Sequence, residues 1–282
     1  MLEQCKMTGF ADEIDASFDV QLEVLETLGQ KFLELRGADG IGVADLKKEK
    51  AAELRKKMKD RGIGVSAIGS PIGKIGIEDE FAPHFETFRH IVELAQYFET
   101  PYIRMFSFYL PEEENPEKYR EQVFERMGKL TDYAKAENVI LLHENEKGIY
   151  GAMAAQCRNL FEEFYGPNFQ GIFDFANFVQ CRQDTLQAYE LLEPYISYIH
   201  VKDAIWDTGE VVLPGEGDGN LFEIFSRLDK KKYSGYLSLE PHLFHFAGLD
   251  ALEKSPGEKK ESSGVAAYKA AFHALRALLE RT

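Results

Sequence analysis

The sequence lacks any apolar run approaching the roughly 20 residues that a membrane-crossing helix requires. Its opening, MLEQCKMTGF, has no apolar core of a secretory signal, so a cytoplasmic protein is expected. Cysteine is scarce. Cys5, Cys157 and Cys181 are odd in number and none forms a CxxC pair, which argues against a disulfide framework and a zinc ribbon and for reduced thiols. Positive charge is in deficit: 33 Lys and Arg against 48 Asp and Glu give a net charge of −15, which repels a polyanionic partner. The one basic cluster, Lys47–Lys59, alternates with acids and reads as the solvated face of a helix. Neither nucleic acid nor membrane is an expected partner. There is also no GxGxxG ahead of the first helix and no low-complexity linker, which disfavours a dinucleotide-binding sheet or a divided chain.

What is present is alternation. Of 282 residues 44% are hydrophobic and 29% charged, enough apolar material for one large core and a single domain over residues 1–282. Runs of β-branched and aromatic residues bounded by turn signals predict eight strands: Met7–Ala11, Phe32–Arg36, Gly64–Ile68, Tyr102–Ser107, Val139–His143, Gly171–Asp174, Ile196–Val201 and Tyr236–Glu240. Amphipathic patterns predict helices between and after them, at Phe18–Leu28, Ala44–Asp60, Phe81–Phe98, Pro116–Glu137, Met153–Phe164, Thr185–Leu192, Leu221–Leu228 and Val265–Glu280. Gly29 and Gly62 are stop signals for the first two. Eight strands, each followed by a helix, is the count of an α/β (β/α)8 TIM barrel. The polar stretch Glu253–Gly264 reads as a surface loop or a lid on the catalytic face.

The chemistry collects at the ends of the last four strands: Glu144 in LLHENE, Asp174 in IFDFAN, His200 in YIHVKD and Glu240 in LSLEPH. Each follows apolar residues that would bury it. A buried carboxylate is costly unless it is paired or binds a metal, and four such groups would meet at one barrel mouth. Three carboxylates and an imidazole suit one divalent ion such as Mn²⁺, Mg²⁺, Co²⁺ or Zn²⁺. Arg104 and Lys202 are candidate contacts to substrate oxygens, with an ion pair to Glu34 as the alternative role for Arg104. His242 is a candidate pocket residue. His143, Asn145 and Asp203 are expected to face away or to orient their neighbours. The glycine-rich PGEGDGN at 214–220 reads as a shaped loop, because its own acids would repel a phosphate.

These motifs resemble the xylose isomerase-like barrels of sugar and sugar phosphate isomerases and epimerases. The likeness rests on Glu144, Asp174 with Asn177 three residues on, His200 in HVKDA, Glu240, the opening GFADEID, FLELRG, and LPGEGDGNLFEIF. It covers essentially the whole chain. The resemblance implies that Glu144, Asp174, His200 and Glu240 hold one metal and that Glu144 and Glu240 are acid/base catalysts on opposite faces of a small sugar substrate. It departs at Asn177, where the ketose epimerases tend to carry a histidine; Asn can contact a substrate hydroxyl but cannot shuttle a proton. The expected activity is isomerisation or epimerisation of a sugar or sugar phosphate through an enediolate. The alternatives are an inosose dehydratase-like lyase and a non-catalytic, metal-containing sugar-binding barrel. A nuclease similar to the apurinic-site endonucleases is disfavoured by the charge and by the paucity of histidine, seven in all. Barrels of this size commonly form homo-oligomers, and no heptad or apolar stripe marks an interface.

Overall fold

The computed structural model describes residues 2–244 and 263–281. Eight parallel strands run in chain order as β1 (Lys6–Gly9), β2 (Phe32–Leu35), β3 (Gly64–Ile68), β4 (Tyr102–Met105), β5 (Ile140–Glu144), β6 (Phe169–Asp174), β7 (Ile196–Val201) and β8 (Tyr236–Leu239). Neighbours in the chain are neighbours in the sheet from β2 to β8, and β8 pairs with β1, Lys6 opposite Tyr236 and Gly9 opposite Leu239. A single bridge between Phe10 and Glu34 joins β1 to β2 and closes the circle. All eight expected strands are present, with ends displaced by at most two residues.

Among the described residues the α-helices are α1 (Phe18–Leu28), α2 (Lys48–Arg61), α3 (Phe81–Tyr97), α4 (Arg120–Ala136), α5 (Ala154–Phe164), α6 (Phe175–Gln180), α7 (Thr185–Leu192), α8 (Leu221–Lys230) and α9 (Gly264–Glu280). Gly29 and Gly62 stop α1 and α2 in the left-handed conformation, at φ of 70° and 64°, where a side chain would be strained. The short α6 was not expected from the sequence. Asp174 caps it by accepting the Asn177 N–H at 2.7 Å, and five of its six residues are buried, so it shows no amphipathic period. Of the stretch Glu253–Gly264, only Ser263 just before its end and Gly264 itself lie within the described residues, so the lid reading falls outside them. Among the described residues no helix is long and apolar enough to cross a membrane.

Side chains alternate across each strand, and the two faces carry different chemistry. Outward residues such as Leu33, Ile103, Leu141, Phe173, Ile199 and Leu237 pack beneath the helices in the main core. Inside the barrel, Ala67, Leu142, Ile172 and Tyr198 form a separate apolar layer, flanked by Tyr102, Ile140 and Tyr236. Towards the C-terminal ends the inward positions become polar: Thr8, Glu34, Ser66 and Ser238, then Arg104, Glu144, Asp174, His200 and Glu240, all buried. The apolar layer thus floors a polar chamber at the barrel mouth.

Candidate active site

Glu144, Asp174, His200 and Glu240 converge in that chamber, with one ligand atom from each within 4.8 Å of all the others. His200 Nδ1 lies 2.9 Å from Glu144 Oε1 and 3.6 Å from Glu240 Oε2. Its Nε2 lies 3.1 Å from Glu34 Oε2, which also accepts the hydroxyls of Ser238 at 2.6 Å and Tyr198 at 3.1 Å. A carboxylate behind an imidazole fixes the ring and its tautomer: a proton on Nε2 donated to Glu34 leaves Nδ1 facing the centre. Asp174 Oδ1 accepts the Asn177 N–H, whereas Oδ2 is fully buried and accepts no hydrogen bond. Lys202 Nζ approaches that oxygen at 3.4 Å and Glu240 Oε2 at 3.3 Å.

Two arginines hold the two glutamates. Arg104 contacts Glu144 Oε2 at 3.3 Å and the Gly69 carbonyl at 3.3 Å. Arg36 reaches Glu240 Oε1 at 3.3 Å, Glu13 Oε1 at 3.1 Å and Asp12 Oδ2 at 2.8 Å. Both guanidiniums stack on the buried Phe10 ring, Arg36 at 4.3 Å and Arg104 at 4.7 Å from its centroid, and the same ring meets His200 edge-on at 5.2 Å. Burial alone would raise the proton affinity of every carboxylate here. For Glu144 the His200 and Arg104 charges outweigh burial and hold it below the usual range. Lys202, His242 and His200 do the same for Glu240, more strongly. Asp174 goes the other way: burial, against the pull of Lys202, pushes it up to about 8.

The donor set fits a divalent ion. An unbonded carboxylate oxygen, Asp174 Oδ2, faces the centre, and the oxygen-rich ligands suit a hard cation. Five buried carboxylates, Glu13, Glu34, Glu144, Asp174 and Glu240, stand against Arg36, Arg104 and Lys202. A second cluster, Glu13, Glu240 and His242, also offers three ligand atoms within 4.8 Å of one another. There the Arg36 guanidinium already contacts Glu13 and Glu240, so the cation position is taken.

The family model for xylose isomerase-like TIM barrels matches residues 22–278. The chain belongs to the xylose isomerase-like TIM-barrel family. No protein of curated function matches it in sequence. Among solved structures, an L-ribulose 3-epimerase superposes with a TM-score of 0.77 at 19% identity, covering 98% of this chain and 95% of that one. The probable 3-DHS dehydratase AsbF of Bacillus anthracis, involved in petrobactin synthesis, gives 0.74 at 18%, covering 96% and 98%. A xylose isomerase-like TIM-barrel protein of Mycobacterium smegmatis in complex with magnesium gives 0.68 at 16%, covering 98% and 96%. At such identities the likeness is one of fold.

Within this xylose isomerase-like barrel, the sequence-predicted residues fall as follows. Lys202 and Arg104 enter the centre; the ion pair with Glu34 given as the alternative role of Arg104 is absent, since its partner is Glu144 and Glu34 serves His200. His242 Nε2 lies 3.3 Å from Glu240 Oε1 and 3.5 Å from Glu13 Oε1. Asn177 donates its amide to the Asn145 carbonyl at 2.9 Å and approaches Glu144 at 3.4 Å. Asn145 clasps the Asp174 backbone, donating to its carbonyl and accepting its N–H at 3.0 Å each, which ties the ends of β5 and β6. His143 turns away, its Nε2 3.0 Å from Ser107 Oγ.

Asp203 holds the glycine-rich loop. Its carboxylate accepts the N–H groups of Ala204, Gly215, Gly217 and Gly219 at 2.9–3.0 Å. A Cβ on Gly217 or Gly219 would meet Asp203 Oδ1 at 2.5 or 2.7 Å, so only glycine allows this approach. The amides that would cradle a phosphate are spent on the chain's own carboxylate.

Sequence reasoning missed Glu13, Arg36 and Phe10, and did not pair Glu34 with His200. Their signal was available: Glu34 interrupts the apolar FLEL at an inward position, and Arg36 follows two residues on. Beside Glu13 and Arg36 opens a cavity of about 540 Å³ whose lining includes Asp12, Ile41, Phe244 and Val265.

Proposed function

We propose that this chain is a divalent-metal-dependent isomerase or epimerase of a sugar or sugar phosphate, acting by proton abstraction next to a carbonyl. The observation that carries the reading is the pair Glu144 and Glu240: two buried carboxylates within 3.6 Å of His200 Nδ1, Glu144 held by Arg104 and Glu240 by Arg36, with Arg104 also 3.8 Å from Glu240. Glu144, Asp174, His200 and Glu240 are the ligands in this reading, and the ion they hold supplies carbonyl polarisation and neutralises charge developing on the substrate oxygens. Arg104 and Lys202 keep the glutamates ionised and therefore able to accept a proton. One glutamate removes the proton α to the carbonyl, giving an enediolate of the substrate. Return of a proton on the opposite face by the other glutamate, which first takes that proton from solvent or, for Glu240, from His242 at 3.3 Å, inverts the carbon while the first glutamate releases its own to solvent; return by the same glutamate to the adjacent carbon moves the carbonyl instead. Asn177, fixed by Asn145, positions Glu144, and Arg104 aligns the same carboxylate from the other side. The names of the structural relatives, an epimerase among them, support this class of chemistry.

A second reading is dehydration, and His242 favours it. Burial and Lys202 act against its charge, but Glu13 and Glu240 outweigh them and raise its pKa to about 9, so a proton is held next to Glu240. A protonated imidazole there is placed to protonate a departing β-hydroxyl. Incubation with ketoses and inososes in heavy water separates the readings. Deuterium in recovered or epimeric sugar marks isomerisation or epimerisation, and an unsaturated product lighter by one water marks the lyase. Glu144→Gln and Glu240→Gln are each expected to slow exchange by about 10²–10⁴-fold with an unchanged fold. Wild-type exchange in either variant rules out the two-carboxylate mechanism.

A further inference from the structure

Lys202 does more than keep Glu240 ionised, because its ammonium stands among the ligands themselves. It lies 3.4 Å from Asp174 Oδ2 and 3.3 Å from Glu240 Oε2. Asp174 has one oxygen committed to the Asn177 N–H, so Oδ2 is the oxygen it can offer an ion. At an oxygen–metal distance of about 2.1 Å, an ion on Oδ2 lies no more than about 5.5 Å from Lys202 Nζ as it stands. The neighbourhood is buried, so solvent screens the two positive charges poorly.

The other cations of the centre are fixed. Arg104 is stacked between Phe10 and Phe106, at 4.7 and 5.0 Å from their ring centroids, and Arg36 is held by three carboxylates. Lys202 differs. Its charge rides on a flexible four-carbon stem. We propose that Lys202 is the resident counter-cation of the centre: its ammonium shares Asp174 and Glu240 with the divalent ion, weakens the ion's binding, and swings aside as the ion is loaded. This rests on reading Glu144, Asp174, His200 and Glu240 as metal ligands.

Calorimetric titration of chelator-treated wild type, Lys202→Met, Lys202→Gln and Lys202→Arg with Mn²⁺ tests it, with a melting curve of each before and after the ion. The two neutral variants are expected to bind Mn²⁺ at least about tenfold more tightly than wild type. They should melt lower without the ion and gain more on adding it. Lys202→Arg, which keeps the charge, should bind no more tightly than wild type. If Lys202→Met folds only when Mn²⁺ is present, that supports the proposal, and Lys202→Gln supplies the affinity. Neutral variants with a wild-type circular dichroism spectrum and wild-type or weaker affinity overturn the role of Lys202 and leave the metal site standing. Failure of all four proteins to bind Mn²⁺, Mg²⁺, Co²⁺ or Zn²⁺ overturns the metal reading and the proposal together.

Discussion

Phe10 shows how much of the site a single apolar side chain can organise. Its ring meets the edge of His200, and the guanidiniums that hold Glu144 and Glu240 both rest on it. Phe10→Ala is expected to cost about 3–5 kcal/mol of stability through the cavity it leaves. Phe10→Leu retains much of the volume but not the π face, removing cation–π contacts on the order of 0.5–2 kcal/mol each. Under the proposed mechanism Phe10→Leu should lower kcat more than it raises KM, because it loosens the glutamates and not the cavity wall. Steady-state kinetics beside urea unfolding of the two variants checks both statements. The residues legible in the sequence were those whose charge broke an apolar run in the last four strands. Phe10 was illegible because an aromatic residue after a strand looks like core wherever it points. Glu34 was visible as an anomaly, but pairing is decided by which strand faces it across the barrel, and the sequence does not contain that distance.

Strands and loops differ in what they reveal. The eight strands were readable because each is a short apolar run between turn signals, and the barrel buries both faces. Helix α6 escaped because its residues are also nearly all buried, leaving no polar face to display a period of 3.6. The glycine-rich stretch 214–220 was recognised as shaped, although Asp203 as its organiser was not, since one carboxylate gathering four amides leaves no periodic trace. Asp203→Asn puts an NH2 group where two of those amides donate, leaving buried donors unpaired at about 1–3 kcal/mol each. A lower urea midpoint and faster proteolysis between residues 205 and 219 are expected, and an unchanged digestion pattern would refute Asp203 as the loop's anchor. A second loop contact carries a pH dependence. His84 Nε2 accepts the Gly73 N–H at 2.8 Å, and burial with the nearby Arg126 charge lowers its pKa. The folded chain therefore keeps this ring neutral while the unfolded chain takes up a proton below about pH 6.5. Its contribution is complete above that pH and is lost as pH falls towards the lowered value, with a slope of at most about 1.4 kcal/mol per pH unit. His84→Gln, which keeps an acceptor but does not titrate, should gain on wild type between pH 7.5 and 5.5 in paired urea melts.

At the scale of the whole molecule, the barrel places its polar residues at one end and closes the other with Ala67, Leu142, Ile172 and Tyr198. Stability and function are coupled through that arrangement, because the mouth concentrates buried charge that only mutual pairing or a bound ion offsets. Dialysis against a chelator should lower the melting temperature and Mn²⁺ should restore it, by about 2.7 kcal/mol where the free ion stands at 100 times its Kd. A melting curve indifferent to both treatments would count against a tightly held ion. The closure of the barrel has a different consequence, for the history of the chain. Strand β1 takes its ladder from β8, and it reaches β2 through one bridge only. During synthesis from the N-terminus, the first strand must therefore remain without its hydrogen-bonded neighbour until the last has been made, on the order of tens of seconds later. The seam between Lys6–Gly9 and Tyr236–Leu239 is where a nascent chain finishes becoming a barrel.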